Sequence, residues 1–514
     1  MVNSAFSRVL VANRGEIALR IIRACHEEGL EAVAVYSEAD RLAPHVRAAD
    51  GAVPIGPAVA AESYLDMKKL ITAARAAGCQ ALHPGYGFLS ERAAFAAAVK
   101  DAGLVFVGPP AEAIRSMGEK TEARRRVQAA GVPVVPGSMQ PVRDADDARR
   151  EAQRLGYPVL FKAVAGGGGK GMRTVGGDEE VEAAFTAAES EATKAFGDGA
   201  VYVEKLIQRP RHIEIQILAD NHGRVVALGE RECSIQRRHQ KLVEEAPSTA
   251  VTPALRRRLA EAATAAAGAV GYRSAGTIEF LLAPGGEFYF LEMNTRIQVE
   301  HPVTEIVYGV DLVREQLHIA SGRPMRVHAG ILSPRGHAIE CRITAEDPFN
   351  DFLPAAGTIR YLRPPSGPGV RWDAGVESGN DVTLFYDPLL AKLVTWGETR
   401  DVAITRMARA LRELVVVGVP TSQAFHLRVM DEPAFRRGDL DITYLERVGA
   451  GLLSAGPPDA VVRAVAVAAA VLADQQRGQT AAAARSAGPS TTSTTSGTST
   501  TSLWTDTARR EGLQ

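Results

Sequence analysis

The stretch RVLVANRGEIALRIIRACHEEGLEAVAVYS, residues 8–37, constrains the fold more than any other part of the chain. Val9 to Ala12 is a short apolar run, Ile17, Ile21 and Ile22 share one helix face, and Gly29 stops the helix before a second β-type run. A similar unit ends in AAFAAAVKDAGLVFVGPP. Alternation of strand and helix over roughly the first 115 residues predicts an open, mostly parallel α/β sheet. At 514 residues the chain has room for about three domains of ~150 residues.

The next informative stretch is KAVAGGGGKGMRTV, residues 162–175. The Walker pattern fails there, because Val164 stands where its first glycine belongs and Gly171 replaces the Ser or Thr that reaches magnesium. The dinucleotide pattern matches at Gly166, Gly168 and Gly171, but β-type runs flank the loop on both sides. With no helix beginning at the loop, no helix N-terminus is offered to a pyrophosphate. What remains is a glycine-rich hairpin whose amides and Lys170 close over phosphates, or a surface turn. Together with the helix DEEVEAAFTAAESEATKAF it forms a small second unit. From Ile213 to about Gly449, β-type runs with Gly and Pro turns are expected to dominate.

GTIEFLLAPGGEFYFLEMNTRIQVEH, residues 276–301, carries the densest polar pattern. TIEFLL and EFYFLE read as paired strands, and a two-residue Gly285-Gly286 turn places Glu279 opposite Glu292. Two carboxylates facing across a ladder repel unless a positive charge lies between them. A hard cation with oxygen ligands meets that need, and magnesium also brings ATP phosphates. A slipped register would instead turn one glutamate to solvent. Glu292, Asn294, Arg296, Gln298 and Glu300 then alternate with apolar or small residues. Fully extended, Glu292 to Glu300 spans roughly 27 Å, too far for one reaction centre. Either the chain bends, or a metal end and an acid–base end are separate.

Other polar clusters extend the pattern. RHIEIQIL sets His212, Glu214 and Gln216 on one strand face, and RECSIQRRHQKLVEE gathers Arg237, Arg238, His239, Gln240 and Lys241 in a loop suited to anions. HPGYGFLSE follows a strand, the place where open α/β sheets bind ligands. A formal net charge of -1 offers nothing to nucleic acid or an anionic membrane. The four cysteines have no metal-type spacing and fit a reducing cytoplasm. MVNSAFSRVLVANRGE lacks a basic region followed by an apolar core, so no export signal is expected. AVVRAVAVAAAVLAD is short for a membrane span and reads as an Ala-rich helix. After it, SAGPSTTSTTSGTSTTS is a linker by composition, and LWTDTARREGLQ is a docking peptide or a tail without function.

VANRGEIALRIIRA, HPGYGFLSE, MGEK, GGGGKGM, RHIEIQIL, ECSIQRRHQK, EMNTRIQVEHPVTE and HAIECRI occur in the order found in biotin carboxylases. From about Arg8 to about Gly449 the chain resembles the biotin carboxylase subunit of a biotin-dependent acyl-CoA carboxylase, in the ATP-grasp superfamily. The resemblance implies a Rossmann-like N-terminal α/β domain (4–117), an ATP-grasp domain (118–320) with a mobile glycine-rich lid over about 135–205, and a mixed β-rich C-terminal domain (330–449). An Ala-rich helix (450–485) and a Ser/Thr-rich flexible tail (486–514) follow.

It also implies roles. Lys120 and Lys162 hold nucleotide phosphates, with Gly168 and Gly169 closing over them. Glu204, Lys205, Leu206 and Ile207 line the adenine pocket, and His212, Gln236 and His239 face the nucleotide. Glu279, Glu292 and Asn294 bind magnesium, or manganese in its place, and the two glutamates also belong to the ATP site. Lys241, Arg296 and the backbone of Val299 hold bicarbonate, Glu300 is its general base, and Arg342 binds biotin and stabilises its enolate form. The implied activity is ATP- and bicarbonate-dependent carboxylation of biotin through carboxyphosphate, in a cytoplasmic homodimer. Ala165 shortens the glycine run by one against many of the family and removes no ligand. No AMKM-type attachment motif is present, so biotin comes on a separate carrier protein and leaves to a carboxyltransferase subunit. Another ATP-grasp ligase would not combine RIQVEHPVTE with HAIECRI, and a non-catalytic nucleotide-sensing or scaffold subunit would have lost a base or a ligand.

Overall fold

The structure is a computed structural model that describes residues 6–138, 140–164, 172–327, 333–454 and 467–471. Residues 1–454 make one compact unit, and residues 455–514 a second, described only over the helical stretch 467–471. The tail peptide, the linker before it and Gly168, Gly169 and Lys170 therefore lie outside the described residues.

β1 (Arg8–Val11), β2 (Glu31–Ser37), β3 (Gly51–Gly56), β4 (Ala81–His83) and β5 (Val105–Phe106) form a parallel sheet in the order β3-β2-β1-β4-β5. The helix Gly15–Glu27 covers it with Ile17, Ile21 and Ile22, as the 3.6-residue period requires. Strand order reverses between β1 and β4, and open sheets bind ligands beyond such a point. There Asn13 Nδ2 donates to the carbonyls of Pro84 (2.7 Å) and Tyr86 (2.8 Å), tying the loop after β4 to the loop after β1.

β6 (Val159–Ala163), β7 (Met172–Val175) and β8 (Val201–Lys205) make a small antiparallel sheet in the order β7-β6-β8. β6 and β7, which pair with each other, flank the glycine run. Helices Ala145–Leu155 and Val181–Phe196 share its core, through Ala148, Ala152, Val181 and Phe185.

β9 (Arg211–Ala219), β10 (Val225–Arg237), β11 (Gln240–Ala246), β12 (Ser274–Leu282), β13 (Phe288–Asn294) and β14 (His337–Thr344) belong to an eight-stranded sheet. Its order is β13-β12-β9-β10-β11-β14, then Leu389–Gly397 and Val370–Ala374. The pairing of β11 with β14 carries this sheet unbroken from the expected ATP-grasp domain into the expected C-terminal domain.

Two expectations about this half are corrected. β-type runs are broken up more than expected: helices Pro253–Gly268, His301–Tyr308, Leu312–Ala320, Arg400–Glu413 and Gln423–Asp431 intervene. Pro253–Gly268 escapes a period reading because its buried face is mostly alanine; Thr252 caps it by accepting from Leu255 N (3.2 Å). The basic stretch is also not a loop. β10 runs straight into β11 through a two-residue turn in which Arg238 and His239 take positive φ (49° and 64°). The last helix of the unit, Tyr444–Ser454, buries Tyr444 and Leu452 against the sheet's core. Among the described residues no helix is long and apolar enough to cross a membrane.

Candidate active site

The site lies over the centre of the large sheet. Glu279 on β12 stands opposite Glu292 on β13, as expected, although by a different route. The turn takes three residues, since Ala283 N donates to Glu287 O (2.8 Å). A β-bulge between Glu279 and Phe280 then shifts the register by one and brings the two glutamates opposite.

Glu279 is surrounded by donors. Its Oε1 accepts from Lys241 Nζ (2.9 Å), Asn294 Nδ2 (2.9 Å) and Gln298 Nε2 (3.1 Å), and its Oε2 lies 3.1 Å from His212 Nε2. Burial alone would raise its pKa, but Lys241 and His212 outweigh it and hold the carboxyl well below the usual range. Glu292 moves the other way, raised by burial and then by Glu279, with Lys120 acting against both. A divalent cation between the two carboxylates would relieve that repulsion, and their hard oxygens suit magnesium or manganese. Asn294 fits the set once its amide turns over, because Oδ1 now accepts from Arg296 Nη2 (3.0 Å).

β13 ends at Asn294, so the polar ladder does not run on as a strand; it bends, and the helix His301–Tyr308 begins with Glu300 at its N-cap. The bend gathers what an extended chain would separate. Arg296 bonds Glu91 Oε2 (2.9 Å) and Gln298 Oε1 (3.0 Å) as well as Asn294. Lys241 Nζ joins three carboxylates: Glu214 (2.6 Å), Glu279 (2.9 Å) and Glu300 (2.6 Å). Fully buried Glu300 also accepts from Arg342 Nη2 (3.1 Å). Burial would raise its pKa, but Lys241, Arg342 and Arg231 together hold it well below the carboxylate range. Val299 presents its carbonyl to Lys392 Nζ (3.1 Å). One lysine thus links the metal-type carboxylate to the buried acid that a proton transfer would use.

Three family descriptions match the chain: Biotin carboxylase, N-terminal domain, over residues 5–114; Carbamoyl-phosphate synthase L chain, ATP binding domain, over 119–328; and Biotin carboxylase C-terminal domain, over 340–447. Biotin carboxylase from Nostoc sp. is 53% identical over 443 residues, covering 86% of this chain and 99% of that one. The chain belongs to the biotin carboxylase family. A pyruvate carboxylase subunit from Methanothermobacter thermautotrophicus is 50% identical, over 87% of this chain and 91% of its own. Among solved structures, the biotin carboxylase domain dimer of Hydrogenobacter thermophilus 2-oxoglutarate carboxylase, in complex with MgADP, ADP and bicarbonate, superposes with a TM-score of 0.82 at 44% identity, covering 88% of this chain and 99% of that one.

In this biotin carboxylase fold, Lys120, Lys162 and Glu204, expected on the nucleotide side, lie close to one another and to Glu292. Lys120 opens the helix Lys120–Ala129, and its charge reaches both Lys162 and Glu292. Lys162 on β6 pairs with Glu204, which Arg124 also holds. Burial draws the Lys162 ammonium down to about 8, with Arg124 and Lys120 pushing the same way and Glu292 against them. Gln236 Nε2 lies 3.0 Å from His212 Nδ1 and fixes its ring. Lys205 turns its ammonium to the carbonyls of Gly156 (2.7 Å) and Tyr157 (3.1 Å), so only its backbone and those of Leu206 and Ile207 follow the edge of β8. His239 stands exposed at the β10–β11 turn, away from the Lys241 cluster. Arg237 and Arg238 are tied to Asp351 (2.5 and 3.0 Å), so the basic run does not act as one anion-binding loop, and only Lys241 points into the cluster.

Sequence reasoning missed several partners. Arg231, fully buried on β10, is held by Glu214, Gln216 (2.7 Å), Thr304 (2.8 Å) and Thr277 (3.1 Å), and its charge sits behind Lys241. The signal was an arginine set between two glutamates, Glu230 and Glu232, inside a strand. Glu91, at the end of HPGYGFLSE, and Glu244, which accepts from Arg342 Nε (2.6 Å), gave no period to find them by.

Proposed function

We propose that this chain carboxylates biotin on a separate carrier protein with ATP and bicarbonate, and that the Lys241 cluster is where bicarbonate is activated. The observation that carries the reading is the single ammonium shared by Glu279, Glu300 and Glu214. Bicarbonate entering beside Lys241 and Arg296 takes over part of that contact. Glu300 then loses a cationic partner, and its basicity rises from the depressed value toward one able to accept the bicarbonate proton. The freed oxygen attacks the γ-phosphorus; the new O–P bond forms as the bond to ADP breaks.

Lys120 and Lys162 receive the phosphates, and Arg296 with Lys241 fixes the attacking oxygen. Magnesium held by Glu279, Glu292 and Asn294 would supply positive charge against the transferring phosphoryl group. Carboxyphosphate releases carbon dioxide, and the phosphate left behind takes the ureido N–H proton so that the nitrogen can attack. Arg342, a cation that does not give up its proton, steadies the enolate. Glycines 168 and 169 close over the phosphates and keep water from the labile intermediate.

The carboxyl acceptor rests with a carboxyltransferase partner. An acyl-CoA is the reading the motifs favour, and relatives named for pyruvate share the same carboxylation half. Homodimerisation accords with the dimer of the Hydrogenobacter domain.

The test is ADP release by the purified chain with magnesium and ATP, with and without bicarbonate and free biotin, beside Glu300→Gln. Release that requires both additions and collapses in the variant supports the reading. Release indifferent to both moves another ATP-grasp ligase ahead, and tight ATP binding without turnover points to a sensing subunit.

A further inference from the structure

Behind Arg342 lies a group of charges that the reaction above does not use. Glu244 on β11 and Glu340 on β14 are directly opposed in register, and both are fully buried. Facing carboxylates in a ladder repel, and burial removes the water that would screen them. Arg342 Nε reaches only Glu244 Oε1. Glu244 Oε2 and both oxygens of Glu340 have no hydrogen-bond donor. Three buried carboxylate oxygens without a donor cannot be left so between two anions, because each would carry its full desolvation penalty.

The cations nearby do not make up the deficit. Lys392 from Leu389–Gly397, buried beside this pair, spends its ammonium on Glu16 Oε2 (3.0 Å) and the Val299 carbonyl (3.1 Å). Arg342 already serves Glu300 as well as Glu244. Lys241 also reaches Glu300 but is shared with Glu214 and Glu279, so neither oxygen of Glu340 receives a cation's hydrogen bond. The helix His301–Tyr308, packed over β14, adds His301, which burial keeps neutral, and Glu305, which Arg20 and Arg371 occupy. Asp373, one strand beyond Lys392, is taken by Arg371.

We propose that Glu244 and Glu340 hold one proton between them, making Glu340 a positioning residue that leaves Arg342 net positive toward its substrate. The proton bridges the two side chains, supplies the missing donor and limits the pair to one negative charge. The directions of titration agree: Glu340 is raised well above the carboxylate range by burial and then by Glu244, and Glu244 is raised to about 7 by burial against Arg342. A group raised in this way keeps its proton at neutral pH and loses it as the pH climbs. Losing it adds a second negative charge beside Arg342 and lowers its hold on the biotin enolate. The last step rests on the biotin-carboxylating function proposed above; the shared proton does not.

The experiment has two readouts on the full chain. Infrared spectra of wild type, with glutamate carbon-13 labelled, are recorded across a pH series, and kcat/KM for free biotin is measured over the same series. A protonated-carboxyl stretch present in wild type at neutral pH, and lost in Glu340→Gln, is the expected result. The variant, whose amide mimics the protonated acid, should match wild type at neutral pH and lack the alkaline fall in kcat/KM that wild type shows. Absence of the stretch from wild type at neutral pH overturns the proposal without any variant. So does an alkaline fall that is identical in both proteins. Should wild type not turn over biotin at all, the function fails while the infrared band still decides the proton.

Discussion

The small three-stranded unit and the eight-stranded sheet both rely on arginine–carboxylate pairs, with opposite energetic consequences. On helix Ala145–Leu155 and the residues before it, Arg143, Arg149 and Arg150 pair with Asp147 or Asp146 three or four positions away, and each pair has a member mostly in water. Such pairs contribute about 0.2–1 kcal/mol and fade with salt. In the large sheet Arg231 and Glu214 are wholly out of water, and Lys241 and Arg342 join the same network through Glu214 and Glu300. There a charge is tolerable only with its partners, so removing one exposes the others to the full cost of burial. The same residue types therefore decorate one region and determine the other.

The sharpest way to break that contrast is Glu300→Gln. If the sheet network exists for chemistry, bicarbonate- and biotin-dependent ADP release should fall by about 10²–10⁴, the usual worth of a positioned general base. A variant with near-normal turnover would demote Glu300 to a structural counter-ion.

Arg231→Met tests burial without touching substrate groups. It leaves Glu214 short of a partner, and a loss of about 3–5 kcal/mol should show as a lower urea midpoint. An unchanged midpoint would mean that Lys241 alone satisfies Glu214.

Glu245 examines a neighbouring buried triad. Burial would raise its pKa, but Arg400 (2.7 Å) and His337 (2.8 Å) win and hold it at about 2. Because its folded pKa lies below its unfolded one, its stabilisation is present above the ordinary carboxylate range and disappears as pH falls toward about 2. The amount is on the order of 3 kcal/mol. Acid unfolding of Glu245→Gln should therefore start from a lower stability at neutral pH and converge with wild type near the acid end.

The smallest effect belongs to the small unit: Arg150→Ala should cost under about 1 kcal/mol, vanishing in high salt. A larger loss would show that its exposed pairs act as a network.

Much of the fold was legible in the sequence. The period of Ile17, Ile21 and Ile22 predicted the covering helix, and apolar runs separated by Gly predicted the parallel sheet. The facing glutamates were legible too, but only because two local errors cancelled: the turn is one residue longer than expected, and the bulge restores the pairing. The helix Pro253–Gly268 was missed because alanine gives little contrast between faces, and the Arg238-His239 turn because its residues lack the glycine that usually marks positive φ.

By itself the sequence determined the parallel strands of the first sheet, the facing strands around Gly285-Gly286, and the family to which the chain belongs. Those are properties of short windows and ordered motifs, where period, turn residues and spacing are local. Only the tertiary structure decided which charges meet. Lys241, Glu279 and Glu300 come from three separate elements, and Glu244 faces Glu340 only because β11 pairs with β14. The energy of a charge depends on burial and on every neighbour within a few ångströms, and neither is a property of its own segment of chain.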